Sequence, residues 1–148
     1  MSIVFHCLPF EQLSPNQLYN IMALRQAVFV VEQNCPYLDA DGKDVKCYHL
    51  WAESDMQTLA YARIVKPGIS YPEVSIGRVA TALTVRRTGL GKELMKTAIA
   101  CVYDVYGTVP IRISAQSYLI RFYESFGFAV AGETYLEDGI PHVEMLKP

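Results

Sequence analysis

"TVRRTGLGKEL", residues 84–94, sets a β-branched apolar run against two arginines, two closely spaced glycines and the first apolar positions of a helix. A helix beginning near Gly89 leaves its first amide donors without intrahelical partners, and their summed dipole favours negative charge. Gly89 and Gly91 lack the Cβ atoms that would hold a ligand off that backbone, while Arg86, Arg87 and Lys92 add positive charge around it. The stretch therefore suits an anion, and a pyrophosphate in particular. Neither common phosphate loop fits. The Walker pattern would need Gly at Arg86 and Ser or Thr at Glu93, and the dinucleotide fingerprint would need Gly at Leu94.

Working outward, "VSIGRVATALTV" (74–85) reads as the strand entering the glycines. Leu90, Leu94, Ala98, Cys101, Val102 and Val105 mark a helix ending near Gly107, and "VPIRISA" (109–115) returns as a strand. Strand, helix, strand implies a parallel pair with a crossover. Upstream, "IVFHCL" (3–8), "YHLWAE" (48–53) and "TLAYARIV" (58–65) have strand composition, the last two joined by a polar turn. Between them Ser14, Pro15 and Gln17 open a helix as N-cap, first helical residue and capping-box partner. Its expected packing face carries Leu18, Ile21, Met22, Arg25, Val28 and Phe29. "YLIRFYESFG" (118–127) reads as a short helix stopped by Gly127, and the last residues supply two strands around "EDG". The order is β-α-β-β-β-α-β-α-β-β.

The 148 residues suit one domain, 1–148, with a single core. A net charge of −2 argues against a nucleic-acid partner, no apolar run reaches membrane-spanning length, and the N-terminus lacks a basic leader. A cytoplasmic protein is expected. Cys7, Cys35, Cys47 and Cys101 form no C-x-x-C pair, and idle or buried reduced thiols are the reading.

Arg86 to Gly91 spells R-x-x-G-x-G, "RVATALTV" precedes it, and "FYESFGF" (122–128) follows at a distance. In these three features the chain resembles the GCN5-related N-acetyltransferases (GNAT). "ALRQAVFVVEQNCPYLDADGKD" (23–44) followed by "YHLWAE" looks like the ElaA-like subgroup. Leu83 departs from the proline common in the wider family, which puts the local strand ending in doubt. The resemblance implies an α/β (α+β) three-layer fold: a mixed, largely antiparallel sheet of about seven strands with a splayed parallel pair, flanked by helices. It implies acetyl-CoA as co-substrate, no metal, and transfer of the acetyl group to a primary amine of a small molecule or peptide by direct attack in a ternary complex. A catalytically silent acyl-CoA sensor is the alternative.

The resemblance also distributes roles. Thr88, Gly89, Leu90, Gly91 and Lys92 would clasp the CoA pyrophosphate with their amides, Arg86 and Arg87 standing by. The backbone of Val79, Ala80 and Thr81 would face the acetyl and pantetheine arm, which can take the place of a neighbouring strand. Tyr123 holds the general-acid position, and a phenol of ordinary pKa about 10 stays protonated at neutral pH. Glu32, Glu73, His49, His142 and Glu144 are all candidate bases; His142 and Glu144 alternate onto one strand face. "DADGKD" (39–44) is half a calcium loop without its final Glu, since Leu50 stands there, and reads instead as an acidic turn lining a substrate mouth and favouring cationic amines.

Overall fold

A computed structural model describes residues 2–148. Its strands are β1 (Val4–Pro9), β2 (Cys47–Ser54), β3 (Gln57–Val65), β4 (Val74–Thr81), β5 (Ile111–Gln116), β6 (Ala129–Val130), β7 (Tyr135–Glu137) and β8 (Ile140–Lys147). They form an eight-stranded sheet in the order β1-β2-β3-β4-β5-β8-β6, with β7 also on β8. Only β4 and β5 run parallel. The strand beyond the expected seven is β6, two residues long and too short to show an alternation.

Three α-helices cover the sheet: α1 (Pro15–Arg25), α2 (Leu90–Tyr106) and α3 (Ile120–Glu124). The capping box at α1 is formed: the Ser14 hydroxyl accepts from the Gln17 amide at 3.1 Å, and the Gln17 carboxamide accepts from the Ser14 amide at 2.8 Å. Past Arg25 the chain continues as a π-helix, Gln26–Glu32, a wider winding that helical periodicity does not reveal. Ile21, Leu24 and Val28 of this segment pack on Trp51, Tyr61 and Ala80 on one face of the sheet. On the other face, Leu90, Leu94, Met95, Ala98 and Val102 of α2 join Ile64, Ile76, Ile111 and Ile113. Truncating a fully buried member such as Leu94 to Ala costs about 2–5 kcal/mol.

Two local features matter for the site. Asp55 and Met56 both have positive φ (51° and 63°), the backbone of a tight hairpin turn between β2 and β3. Further along, Tyr61 faces Ala80 but Arg63 faces Gly77, so β4 carries one residue more than β3 and bulges there. Arg78, inside the bulge, has φ 50°. The sulfurs of Cys7 on β1 and Cys101 on α2 lie side by side, a neighbourhood the reading of idle or buried thiols did not include; Cys35 and Cys47 stand apart as free thiols. Among the described residues, no helix is long and apolar enough to cross a membrane.

Candidate active site

β4 and β5 begin side by side, with Val74 opposite Ile111 and Ser75 opposite Arg112, and their register ends there. β4 runs on to Thr81 and β5 to Gln116, so the strands part and open a cleft between them. A cavity of about 760 Å³ fills the opening. Its wall includes Val79, Ala80 and Thr81, three positions assigned to the acyl arm, together with Arg86, Gly91 and Tyr123. Strand separation of this kind leaves backbone donors and acceptors free for an extended ligand.

The glycine loop reaches this wall through Arg86 and Gly91, while Arg87, Thr88, Gly89, Leu90 and Lys92 lie off the cavity lining. Among the described residues no amide from Arg87 to Lys92 donates to a backbone carbonyl; the first to do so is that of Glu93, to the Gly89 carbonyl at 3.2 Å. Gly89 is the α2 N-cap with φ 88°, a conformation that disfavours any Cβ. Space around it is open, with nothing within 4 Å of where a Cβ would stand. A Cβ on Gly91 would meet only Thr81 Cγ2, at 4.0 Å, an ordinary contact. Tight packing within the chain thus explains neither glycine: the left-handed backbone accounts for Gly89, and at Gly91 the open space leaves room for a ligand to approach the backbone. The fit to a pyrophosphate rests on these bare amides, on the positive end of α2, and on Arg87 and Lys92, which have no ion pair among the described residues.

Arg86 behaves differently from the expectation. Its guanidinium makes a bidentate pair with Glu32, at 2.5 and 2.7 Å, and also donates to the Thr81 carbonyl at 3.0 and 3.2 Å. Its charge is offset within the chain, and it ties the end of the π-helix to the end of β4. Hydrogen bonding to Arg86 holds the Glu32 carboxylate below the usual range, which weakens it as a base.

Tyr123 is 7% exposed, packed edge-on against Phe122 and Phe128, and lines the cavity. Burial, with Tyr118 nearby, pushes its pKa up to about 12, so the phenol remains a proton donor across the physiological range. α3 carries it into place. This helix is a single turn closed by the Phe128 amide bonding back to the Tyr123 carbonyl at 3.3 Å.

The five candidate bases separate cleanly. His49 is fully buried outside the cavity, accepting from the Tyr61 hydroxyl through Nδ1 at 2.6 Å and donating from Nε2 to the Asp44 carbonyl at 2.8 Å. Burial lowers its pKa, and it is a neutral structural link, so the base reading is corrected for it. Glu73 and Glu144 both pair with Arg112, at 3.0 and 3.1 Å, and neither lines the cavity. His142 does line it; its Nδ1 donates to the Ile140 carbonyl at 2.7 Å and its Nε2 faces Glu137 at 3.3 Å. The expected His142–Glu144 pair shares a strand face but not a partner.

The acidic turn is not an open negative mouth. Arg25, wholly buried, reaches Asp39 at 2.7 Å and Asp44 at 2.8 Å. Arg63 reaches Asp41 at 2.8 Å and Asp44 at 2.9 Å, and Arg78 reaches Asp39 at 2.8 Å. Three aspartates meet three arginines, so no net charge is left to draw cationic amines, and that expectation is withdrawn. Burial pushes the Asp41 and Asp44 carboxyls up, but arginine hydrogen bonds outweigh it and hold both below the ordinary value. Among the described residues no cluster of His, Cys, Asp and Glu stands ready for a metal. A buried lattice of this kind escapes sequence reading because its partners come from α1, the 39–44 loop, β3 and β4; the basic residue Arg25 on an otherwise apolar helix face was the available signal.

A sheet opened between parallel strands, with bare amides reaching its wall at Gly91 and a buried phenol on that wall, defines an acyl-CoA-using transferase class. The chain belongs to the GNAT acetyltransferase family: the family model described as "Acetyltransferase (GNAT) domain" matches residues 11–148. It is 43% identical to Protein ElaA of Escherichia coli K12, over 93% of this chain and 91% of that one, and 42% identical to a UPF0039 protein of Synechocystis, over 93% and 90%. In three dimensions it is similar to an acyl-CoA N-acyltransferase from Pseudomonas aeruginosa, with a TM-score of 0.96 and 39% identity over 99% of this chain and 100% of that one. The E. coli ElaA crystal structure superimposes with a TM-score of 0.94 over the same shares. The protein is an acyl-CoA-dependent acyltransferase of the ElaA-like kind.

Proposed function

We propose that the protein moves an acetyl group from acetyl-CoA to a primary amine of a small molecule or peptide, by direct attack in a ternary complex. The observation that carries this reading is the β4/β5 opening whose wall reaches, at Gly91, the unpartnered amides of residues 87–92. Those amides, with Arg87 and Lys92, would hold the pyrophosphate, and β4 from Val79 to Thr81 would take the thioester arm as an added strand. An acyl-CoA user works where that thioester is made, so the reading sets the protein in the cytoplasm.

The amine nitrogen bonds to the thioester carbonyl carbon as the carbon–sulfur bond breaks. Charge developing on the carbonyl oxygen would be met by a β4 backbone amide near Val79, an interaction worth about 3 kcal/mol in other enzymes. Tyr123 donates its phenolic proton to the departing sulfur and is reprotonated from solvent. The proton lost by the amine leaves toward His142 and Glu137, the one candidate-base position in the cavity without an arginine neutralising it. The test is incubation with acetyl-CoA and a panel of amines, reading thiol release and the acetylated product together. A silent sensor would bind acetyl-CoA and release no thiol.

A further inference from the structure

We propose that Arg78 selects acceptors bearing a carboxylate, so that the amines used at this site are amino acids or other amines with an anionic group. The inference rests on the amine-transfer reading above and names its substrate class. Arg78 lies in the β4 bulge, next to Val79, and lines the cavity where the cleft opens. Of the three arginines in the Arg/Asp lattice it alone presents appreciable surface: its side chain is 24% exposed, against 0% for Arg25 and 5% for Arg63.

Its orientation is fixed from behind. Nε donates to Asp39 Oδ1 at 2.8 Å, and Nη2 to the Asp39 carbonyl at 3.2 Å and Asp41 Oδ2 at 3.4 Å. The guanidinium lies over the Tyr37 ring, 5.8 Å from its centroid. Nη1 meets no acceptor among the described residues, which leaves its two N–H donors, on a guanidinium braced from behind, free for one oxygen of a bound carboxylate. The bulge breaks the regular alternation of β4 at this residue. Arg78 holds φ 50° in a strand, directly after Gly77, where glycine would adopt that conformation without strain.

Glu137 and His142, from β7 and β8, line the same cavity, so an amine held near them and a carboxylate held by Arg78 would share one space. Because the lattice charges cancel, recognition would be short-range and directional and would resist added salt. A plain structural brace makes a different prediction, since losing it would impair all acceptors alike.

The experiment measures kcat/KM with saturating acetyl-CoA for a set of α- and ω-amino acids, each beside its amide and its decarboxylated amine. We expect the preferred free acids to exceed their amides by about tenfold to a hundredfold, the worth of a hydrogen bond to a charged group. In Arg78→Gln that ratio should fall to about one, through KM, with partial recovery in Arg78→Lys. Wild-type protein that uses amides or simple amines as well as acids, or better, overturns the inference and leaves amine transfer standing, and it does so whether or not the variants fold. An unaltered ratio in folded Arg78→Gln also overturns it. If acetyl-CoA binds but no amine is acetylated, the amine-transfer reading fails first and this inference falls with it.

Discussion

Replacing Gly89 with aspartate separates the fold of the glycine loop from its use. At φ 88° a residue with a Cβ is strained by about 1 kcal/mol, but nothing lies within 4 Å of the new atom, so no clash is added. A carboxylate at the N-cap of α2 returns about 0.3–1 kcal/mol through the amides and the helix dipole. Stability should therefore change by less than about 1 kcal/mol. Binding is another matter: a negative charge roughly 5 Å from a phosphate, at an effective dielectric constant of about 20, opposes it by about 3 kcal/mol, more than about a hundredfold in affinity. Titration calorimetry with acetyl-CoA reads the affinity, and the fluorescence of the single tryptophan, Trp51, buried beneath α1, reads the fold. A folded Gly89→Asp protein that binds acetyl-CoA within about threefold of wild type would refute the placement of the pyrophosphate.

Tyr123→Phe keeps the edge-on packing against Phe122 and Phe128 and deletes only the hydroxyl; turnover should fall about 10²-fold with acetyl-CoA affinity nearly unchanged, as steady-state kinetics and calorimetry will show. Glu32→Gln breaks a largely solvent-exposed pair with Arg86, so we expect stability within about 1 kcal/mol of wild type and turnover within a few-fold, and a loss near a hundredfold in the rate assay would restore Glu32 as the base. Arg25→Met removes the buried centre of the Arg/Asp lattice and should cost about 3–5 kcal/mol in denaturant unfolding, because Asp39 and Asp44 each lose a partner. The same lattice sets the acid limit. Asp41 and Asp44 are depressed in the folded state, so their contribution is fully present well above the ordinary Asp value of 3.8 and declines as pH falls through that value toward the folded ones. Unfolding midpoints that stay flat from pH 5 down to pH 2 would contradict it.

Much of this site could be read from sequence because it is built from local signals. Gly89, the helix start and the neighbouring strand lie within about a dozen residues, and the short helix bearing Tyr123 announces its end with Gly127. What sequence concealed was assembled at long range. Arg25 sits at a core-facing helical position and was read with Leu18 and Ile21 as a packing residue, yet its partners are Asp39 and Asp44. The 39–44 turn looked acidic because its neutralising arginines lie on β3 and β4. Arg86 looked free for phosphate because Glu32, 54 residues earlier, was not visibly its neighbour. The bulge at Arg78 depends on the register of β4 against β3, which no pattern within β4 contains.

The central claim is that acyl transfer to an amine occurs in the β4/β5 opening, and the simultaneous measurement of thiol release and amine acetylation tests it most directly. With acetyl-CoA and an accepted amine, the account predicts that both products accumulate in equal amounts and that Gly89→Asp suppresses both together at limiting acetyl-CoA. Tight binding of acetyl-CoA with no thiol released above the enzyme-free rate, for any amine in the panel, would contradict it.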